Sequence, residues 1–197
     1  MRTIVGIDEV GRGPLAGPVT ICIVACGYEI YKKLKKDKRL PPLGKDSKKL
    51  KASDRLKYAE TLNYIGVPYV VVHVSSKIID KKGISFSIRR AINTGLEKLK
   101  LDPNNCKVLL DGGLRAPLEF KNQTTIIKGD EKERIIAWAS ILAKVSRDSL
   151  MVKLSKKYPQ YGLEKHKGYG TLEHRQAVQK YGFSDIHRKT FCKKFKN

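Results

Sequence analysis

A chain of 197 residues with 41% hydrophobic and 30% charged residues is long enough to bury one sizeable core and too well balanced to be disordered. Lys and Arg number 41 against 19 Asp and Glu, a net charge of +22 that excludes an acidic or neutral surface and suits a polyanionic partner. No apolar run reaches the length of a membrane span and the amino terminus has no signal-peptide plan, so the expected compartment is cytoplasmic.

The basic excess is clustered. Ten cations face two acids between Lys32 and Lys51, and Arg188, Lys189, Lys193, Lys194 and Lys196 follow Asp185 with no acid among them. Such clustering favours nucleic acid over an evenly solvated surface. Four cysteines, at 22, 26, 106 and 192, and four histidines, at 73, 166, 174 and 187, have no zinc-type spacing. The cysteines read as small buried residues, and neither type is assigned to a metal.

In chain order, Ile4-Val5-Gly6-Ile7 reads as a buried strand with Asp8 and Glu9 at or just past its carboxyl end. Gly11, Gly13 and Gly17 follow, lacking the Cβ that would hold a ligand away from the backbone, and Arg12 sets a cation beside the two anions. Val19 to Ala25 is continuous and β-branched and should return antiparallel, making a hairpin. Tyr31 to Leu40 reads as a short helix or a loop, ended by Pro41-Pro42-Leu43-Gly44. A helix is predicted from about Ser53, capped by that serine, with Leu56, Ala59 and Leu62 apolar.

Val67 to Val74 is the next strand, and Lys77 to Lys100 is helical with a break near Gly83. Ile84, Ile88, Ala91, Ile92, Gly95, Leu96 and Leu99 recur there at helical spacing. Lys107 to Asp111 is a strand ending in a carboxylate, and Thr124 to Asp130 a short one ending in Gly-Asp. Glu133 to about Lys156 is the longest helix, burying Ile135, Ile136, Ala139, Leu142, Ala143 and Ser146. Asp130 and Glu133 have capping-box spacing, so Asp130 also reads as an N-cap. A loop-rich stretch from Tyr158 and a helix from Thr171 to Lys180 make an added lobe. Strands alternating with long helices give an α/β fold with a central mixed β-sheet flanked by helices.

Asp8, Glu9, Asp111 and Asp130 thus stand at strand ends in an otherwise basic chain. Carboxylate oxygens in a basic groove suit hard divalent cations, Mg2+ or Mn2+, shared with phosphate oxygens. Two metals about 3.5–4 Å apart can hydrolyse a phosphodiester without a protein nucleophile. No Ser/His/Asp or Cys/His arrangement competes with that reading.

The segment Gly6-Ile-Asp-Glu-Val-Gly-Arg-Gly-Pro-Leu-Ala-Gly-Pro-Val19 resembles the signature of ribonuclease HII, the type 2 ribonucleases H. The likeness continues in order through Asp46-Ser-Lys-Lys-Leu50, Leu109-Leu-Asp-Gly112, Lys128-Gly-Asp130, Ala139 to Asp148, Tyr161-Gly162, His166 to Thr171 and His187-Arg188. It implies a ribonuclease H-like catalytic domain, residues 1–157, with a carboxyl-terminal helical lobe, 158–197, as a single, monomeric catalytic unit. It also implies cleavage of RNA in RNA-DNA hybrids and incision at ribonucleotides embedded in duplex DNA, leaving 5′-phosphate and 3′-hydroxyl ends.

By the same resemblance Asp8, Glu9, Asp111 and Asp130 match the metal-binding acids, Gly11-Arg12-Gly13 the loop that contacts the ribonucleotide, and Tyr169 a tyrosine that packs on its sugar. Without it, Tyr169 reads first as a turn aromatic between two glycines that packs on the lobe. Ser47, Lys48, Lys144 and Arg147 read as phosphate contacts. Lys144 and Arg147 read alternatively as exposed helix residues, with Asp148 pairing to Lys144. Two departures stand out: the segment from Tyr28 to Gly44 is longer and more basic than the family's usual connection, and Trp138 occupies a position where a small residue is common. The rival readings are a structure-specific DNA nuclease of related fold and a non-enzymatic basic RNA-binding protein. The Gly-Arg-Gly loop with Tyr169 separates the first rival, and the four acids the second.

Overall fold

The computed structural model describes residues 2–41 and 50–193. Its centre is a five-stranded sheet in the order β3-β2-β1-β4-β5, built from β1 (Thr3–Val10), β2 (Val19–Gly27), β3 (Tyr69–Val74), β4 (Cys106–Asp111) and β5 (Gln123–Ile126). β1 and β2 form the antiparallel hairpin expected of them, with Asp8 opposite Cys22, and β3 continues it antiparallel. β4 runs parallel to β1 and β5 parallel to β4, so the sheet is mixed.

Helices cover both faces. On one, Val5, Ile7, Ile21 and Ile23 meet Ile88, Ala91, Ile92 and Leu96 of α4 (Ile84–Lys98) and Ile79 of α3 (Ser76–Lys82). The break expected near Gly83 is the joint between those two helices, where Gly83 has φ +82°. On the other face, Ile4, Val10, Cys22 and Val24 meet α6 (Arg134–Lys157), Tyr31 of α1 (Tyr28–Leu34), and Ala59 and Leu62 of α2 (Ala52–Ile65). All four cysteines are buried as free thiols, as their apolar settings imply.

The 24-residue α6 carries the long sequence signal, but its buried part is wider than one stripe. Every residue from Ile135 to Ala143 is buried, because the first half of the helix lies between the sheet and the flanking helices α1 and α2. Trp138 is wholly buried there, edge-on to Tyr31 with centroids 5.6 Å apart. The basic stretch from Tyr28 thus docks its helix through an aromatic pair.

Several local expectations differ from the structure. α2 begins at Ala52 with Lys51 at the cap position, so Ser53 lies inside the first turn and caps nothing. Leu56 on that helix is 48% exposed. β5 stops at Ile126; Lys128 turns through φ +55° and Asp130 sits on the short helix α5 (Gly129–Lys132), not at a strand end. The cap position of α6 is Glu133, so the capping box built on Asp130 does not form. After α6, a turn at Pro159–Tyr161, α7 (Leu163–His166) and α8 (Leu172–Tyr181) gather Tyr161, Leu163 and Val178 around Met151 and Ala16.

Candidate active site

Side chains alternate along a strand. Asp8 therefore shares the α6 side of β1 with Ile4 and Val10, and Glu9 the α4 side with Val5 and Ile7. Both carboxylates lie within β1 rather than past its end, yet both line one cleft that opens over the strand terminus. α6 approaches β1 closely because residue 6 is glycine: a Cβ there would collide with the carbonyl of Ile135. That approach brings Ser140 to the cleft beside Asp8.

The cleft, about 440 Å³, is also lined by Gly11, Arg12, Gly13, Asp111, Lys128, Asp130, Glu131, Lys144 and Tyr169. β4 delivers Asp111 beside β1, and its Oδ1 accepts the Gly129 N–H at 2.6 Å, which ties α5 and Asp130 to the same place. Asp8 is only 5% exposed. Burial pushes its carboxyl up to about 8, the nearby Asp111 and Asp130 adding to the effect and the Ser140 hydrogen bond opposing it. Glu9 pairs through Oε1 with Arg12 at 2.9 Å, while its Oε2 is buried without a partner among the described residues.

The glycine loop after β1 is held from behind by two buried arginines. Arg147 donates from Nε to Pro18 O at 3.0 Å, from Nη1 to Lys167 O at 3.0 Å and from Nη2 to Ala16 O at 3.3 Å. Arg188 donates to the carbonyls of Gly17 at 3.0 Å, Arg12 at 2.8 Å and Gly11 at 2.6 Å. Gly11 has φ +83°, and a Cβ on it would run into the Arg147 side chain. Because C=O and N–H point oppositely across a planar trans peptide, the N–H groups of Arg12 and Gly13 turn away from Arg188.

Two expectations are corrected here. Arg147 is neither a phosphate contact nor an exposed helix residue: it has no exposed surface, and each of its three nitrogens donates to a main-chain carbonyl. Arg188, counted among the cations of a basic tail, is equally buried. Burial pulls its guanidinium down to about 9, with Arg147 adding to the shift, so it remains charged at neutral pH.

Lys144 lines the cleft and pairs with Asp148 at 2.8 Å, the pairing that its second sequence reading gave, but its side chain is half-buried rather than an exposed helix residue. Tyr169, 40% exposed, faces the cleft from the lobe with the Arg147 guanidinium 5.9 Å from its ring. Ser47 and Lys48 lie outside the described residues. Sequence reasoning missed Ser140, the clasp of Arg147 and Arg188, and a line of histidines behind Tyr169. Hydroxyls and cations on amphipathic helices look alike in sequence whether they face solvent or a buried carbonyl, and no spacing rule joins residues 166, 174 and 187.

Among the described residues, no three acidic, histidine or cysteine side chains converge as a ready-made metal cage. The donor set nevertheless fits a divalent cation that keeps part of its water and shares phosphate oxygens. Glu9 Oε2 is buried without a partner among the described residues, and Asp8, its carboxyl pushed up mainly by burial, has Asp111 and Asp130 adding to that shift, so a cation placed among these carboxylates would be favourable to all of them.

A family model described as Ribonuclease HII matches residues 5–194. The chain belongs to the ribonuclease HII family. Relatives include ribonuclease HII of Caldicellulosiruptor bescii, 45% identical over 98% of this chain and 87% of that protein, and of Prochlorococcus marinus, 41% identical over 98% and 97%. The crystal structure of ribonuclease H2 from Pyrococcus horikoshii superposes with a TM-score of 0.77 at 27% identity, covering 98% of this chain and 96% of that one. The fold is shared with Bst ribonuclease HIII, solved in complex with Mn2+, at a TM-score of 0.63 and 15% identity over 96% of this chain and 64% of that one. As a ribonuclease HII family member the protein is a hydrolytic endoribonuclease of the ribonuclease H type, acting on nucleic acid, and divalent-metal dependence is general to the family. No described helix is long and apolar enough to cross a membrane.

Proposed function

We propose that this ribonuclease cleaves the RNA strand of RNA-DNA hybrids and incises duplex DNA at single embedded ribonucleotides, leaving 5′-phosphate and 3′-hydroxyl ends. The observation that carries this reading is the meeting, in one cleft, of the carboxylates with the Gly11-Arg12-Gly13 loop and Tyr169. Acids alone would serve a DNA nuclease equally well; the loop and the tyrosine are what a ribose reader adds.

Asp8, Glu9, Asp111 and Asp130 would hold two divalent cations, Mg2+ or Mn2+, with Glu9 Oε2 as a ligand oxygen that has no other partner among the described residues. When bound, such ions supply an activated water and neutralise charge on the phosphate under attack. Arg12, 57% exposed at its side chain and tethered to Glu9, can take the scissile phosphate, and Lys128 and Lys144 at the rim can steady the strand. The Arg12 and Gly13 amides can donate to the ribose 2′-hydroxyl, the group that separates RNA from DNA at a given site. Tyr169 can pack on that sugar. Ser47 and Lys48 belong to the same proposal as further phosphate contacts, on the family resemblance. Residues 1–157 would form the catalytic domain and 158–197 the lobe that completes it, working as a monomer in the cytoplasm.

The test is cleavage-site mapping on a duplex with one ribonucleotide, in Mg2+ and in Mn2+, beside an all-DNA control. We expect a cut at the ribonucleotide, abolished by a chelator. Cutting of the control at an equal rate would sink the proposal.

A further inference from the structure

Behind Tyr169, two buried imidazoles stand in a hydrogen-bonded line. His174 has no exposed surface and His187 is 2% exposed. The Ser184 N–H lies 3.0 Å from His187 Nδ1, with the Ser184 hydroxyl at 2.8 Å from the same nitrogen. His187 Nε2 faces His174 Nε2 at 3.1 Å, and His174 Nδ1 faces the Tyr169 carbonyl at 2.9 Å.

The ends of this line fix every proton in it. A backbone N–H can only donate, so His187 Nδ1 must carry a lone pair and its Nε2 the hydrogen. That hydrogen is donated to His174 Nε2, which leaves Nδ1–H to donate to a carbonyl that can only accept. Both rings are neutral, each in one tautomer. His166 adds a second hold: its ring stacks on His174 at 4.5 Å, its carbonyl accepts the Tyr169 N–H at 3.0 Å, and its Nδ1 accepts from Gly168 N at 3.2 Å. Gly168 O in turn receives Leu15 N at 2.8 Å, so the segment bearing Tyr169 is also tied to the glycine loop.

We propose that His174 and His187 are positioning residues that hold Tyr169 in register with the cleft through this line of hydrogen bonds, and so set how sharply the enzyme reads a ribonucleotide. The proposal rests on the reading of Tyr169 as the sugar contact. Neither ring lines the cleft; His174 reaches it through the Tyr169 carbonyl, while the main chain of His187 also bridges Ala16 of the glycine loop, so His174 is the residue whose side chain isolates the path through the tyrosine.

The experiment measures kcat and KM on a duplex with one ribonucleotide for Tyr169→Ala, His174→Ala, His174→Asn and His174→Gln, and for His174→Ala combined with Tyr169→Ala. His174→Ala should lower kcat about tenfold to a hundredfold, the effect of misplacing a contact by about an ångström. His174→Asn should restore most of it, because its amide nitrogen stands where Nδ1 stood; His174→Gln, whose amide falls near Nε2, should not. In the Tyr169→Ala background the His174→Ala loss should vanish. An equal loss in that background, or equal recovery by Gln and Asn, overturns the proposal. If Tyr169→Ala is impaired and His174→Ala is not, the relay alone fails; full activity in Tyr169→Ala overturns the tyrosine reading and the relay with it. Should His174→Ala not fold, Asn against Gln, both of which fill the site, decides the matter.

Discussion

Asp111 joins two tasks at one atom, since the Oδ1 that accepts the Gly129 N–H belongs to a carboxylate facing the cleft. Asp111→Asn keeps an acceptor of the same shape and removes the charge. Its affinity for a hybrid should therefore be unchanged or tighter, while turnover falls by at least about a hundredfold; binding and single-turnover assays separate the two, and wild-type turnover would remove Asp111 from the site. At this scale the acids were legible because carboxylates are rare in so basic a chain and recur beside glycines. Arg147 and Arg188 were not, because sequence reports that a residue is a cation but not that three carbonyls surround it. Asp130 was legible as a residue and misjudged as to setting, the αL turn at Lys128 having no glycine to announce it.

At the scale of elements, the glycine loop has a shape imposed from outside. Arg188→Lys tests this, since an ammonium cannot match a planar guanidinium bridging the carbonyls of Gly11, Arg12 and Gly17. We expect a stability loss on the order of 3 kcal/mol, by chemical denaturation, from buried carbonyls left without donors. Cleavage should fall further than that loss of folded protein explains. Trp138→Ala tests the docking of α1 on α6. Among the described residues the indole Nε1 has no hydrogen-bond partner, so truncation removes packing alone, and about 3–5 kcal/mol should be lost. Hybrid cleavage measured well below the melting temperature should persist. Helix positions and the sheet were largely readable from periodicity, including the break at Gly83. Caps were less so: Ser53 and Asp130 are good capping residues by type, but each helix began elsewhere because tertiary packing on the sheet chose its first turn.

For the whole molecule, the net charge of +22 predicts that affinity for duplex substrate falls steeply with salt, log affinity being linear in log salt concentration. A flat response in a titration from low to physiological salt would mean that the cations lie away from the interface. Stability should respond to acid through the lobe. Burial and the adjoining His174 pull His187 down to about 4 from a free value of 6.5. A base whose folded pKa is depressed gives its full contribution above 6.5 and loses it as pH falls toward 4. His187→Gln keeps an amide donor toward His174 and does not titrate. Wild-type stability should therefore drop relative to that variant between those pH values by on the order of 2 kcal/mol, a difference in which the carboxylates cancel.

The clasp on the glycine loop also has a meaning in time. A chain is made from its amino end, so the loop leaves the ribosome well before its holders: Arg147 meets Pro18 across a separation of 129 residues, and Arg188 meets Gly11 across 177. The hairpin and sheet can assemble while the reading loop is still unset. A nascent chain thus carries Asp8 and Glu9 well over a hundred residues before it carries the arginines that hold the loop beside them.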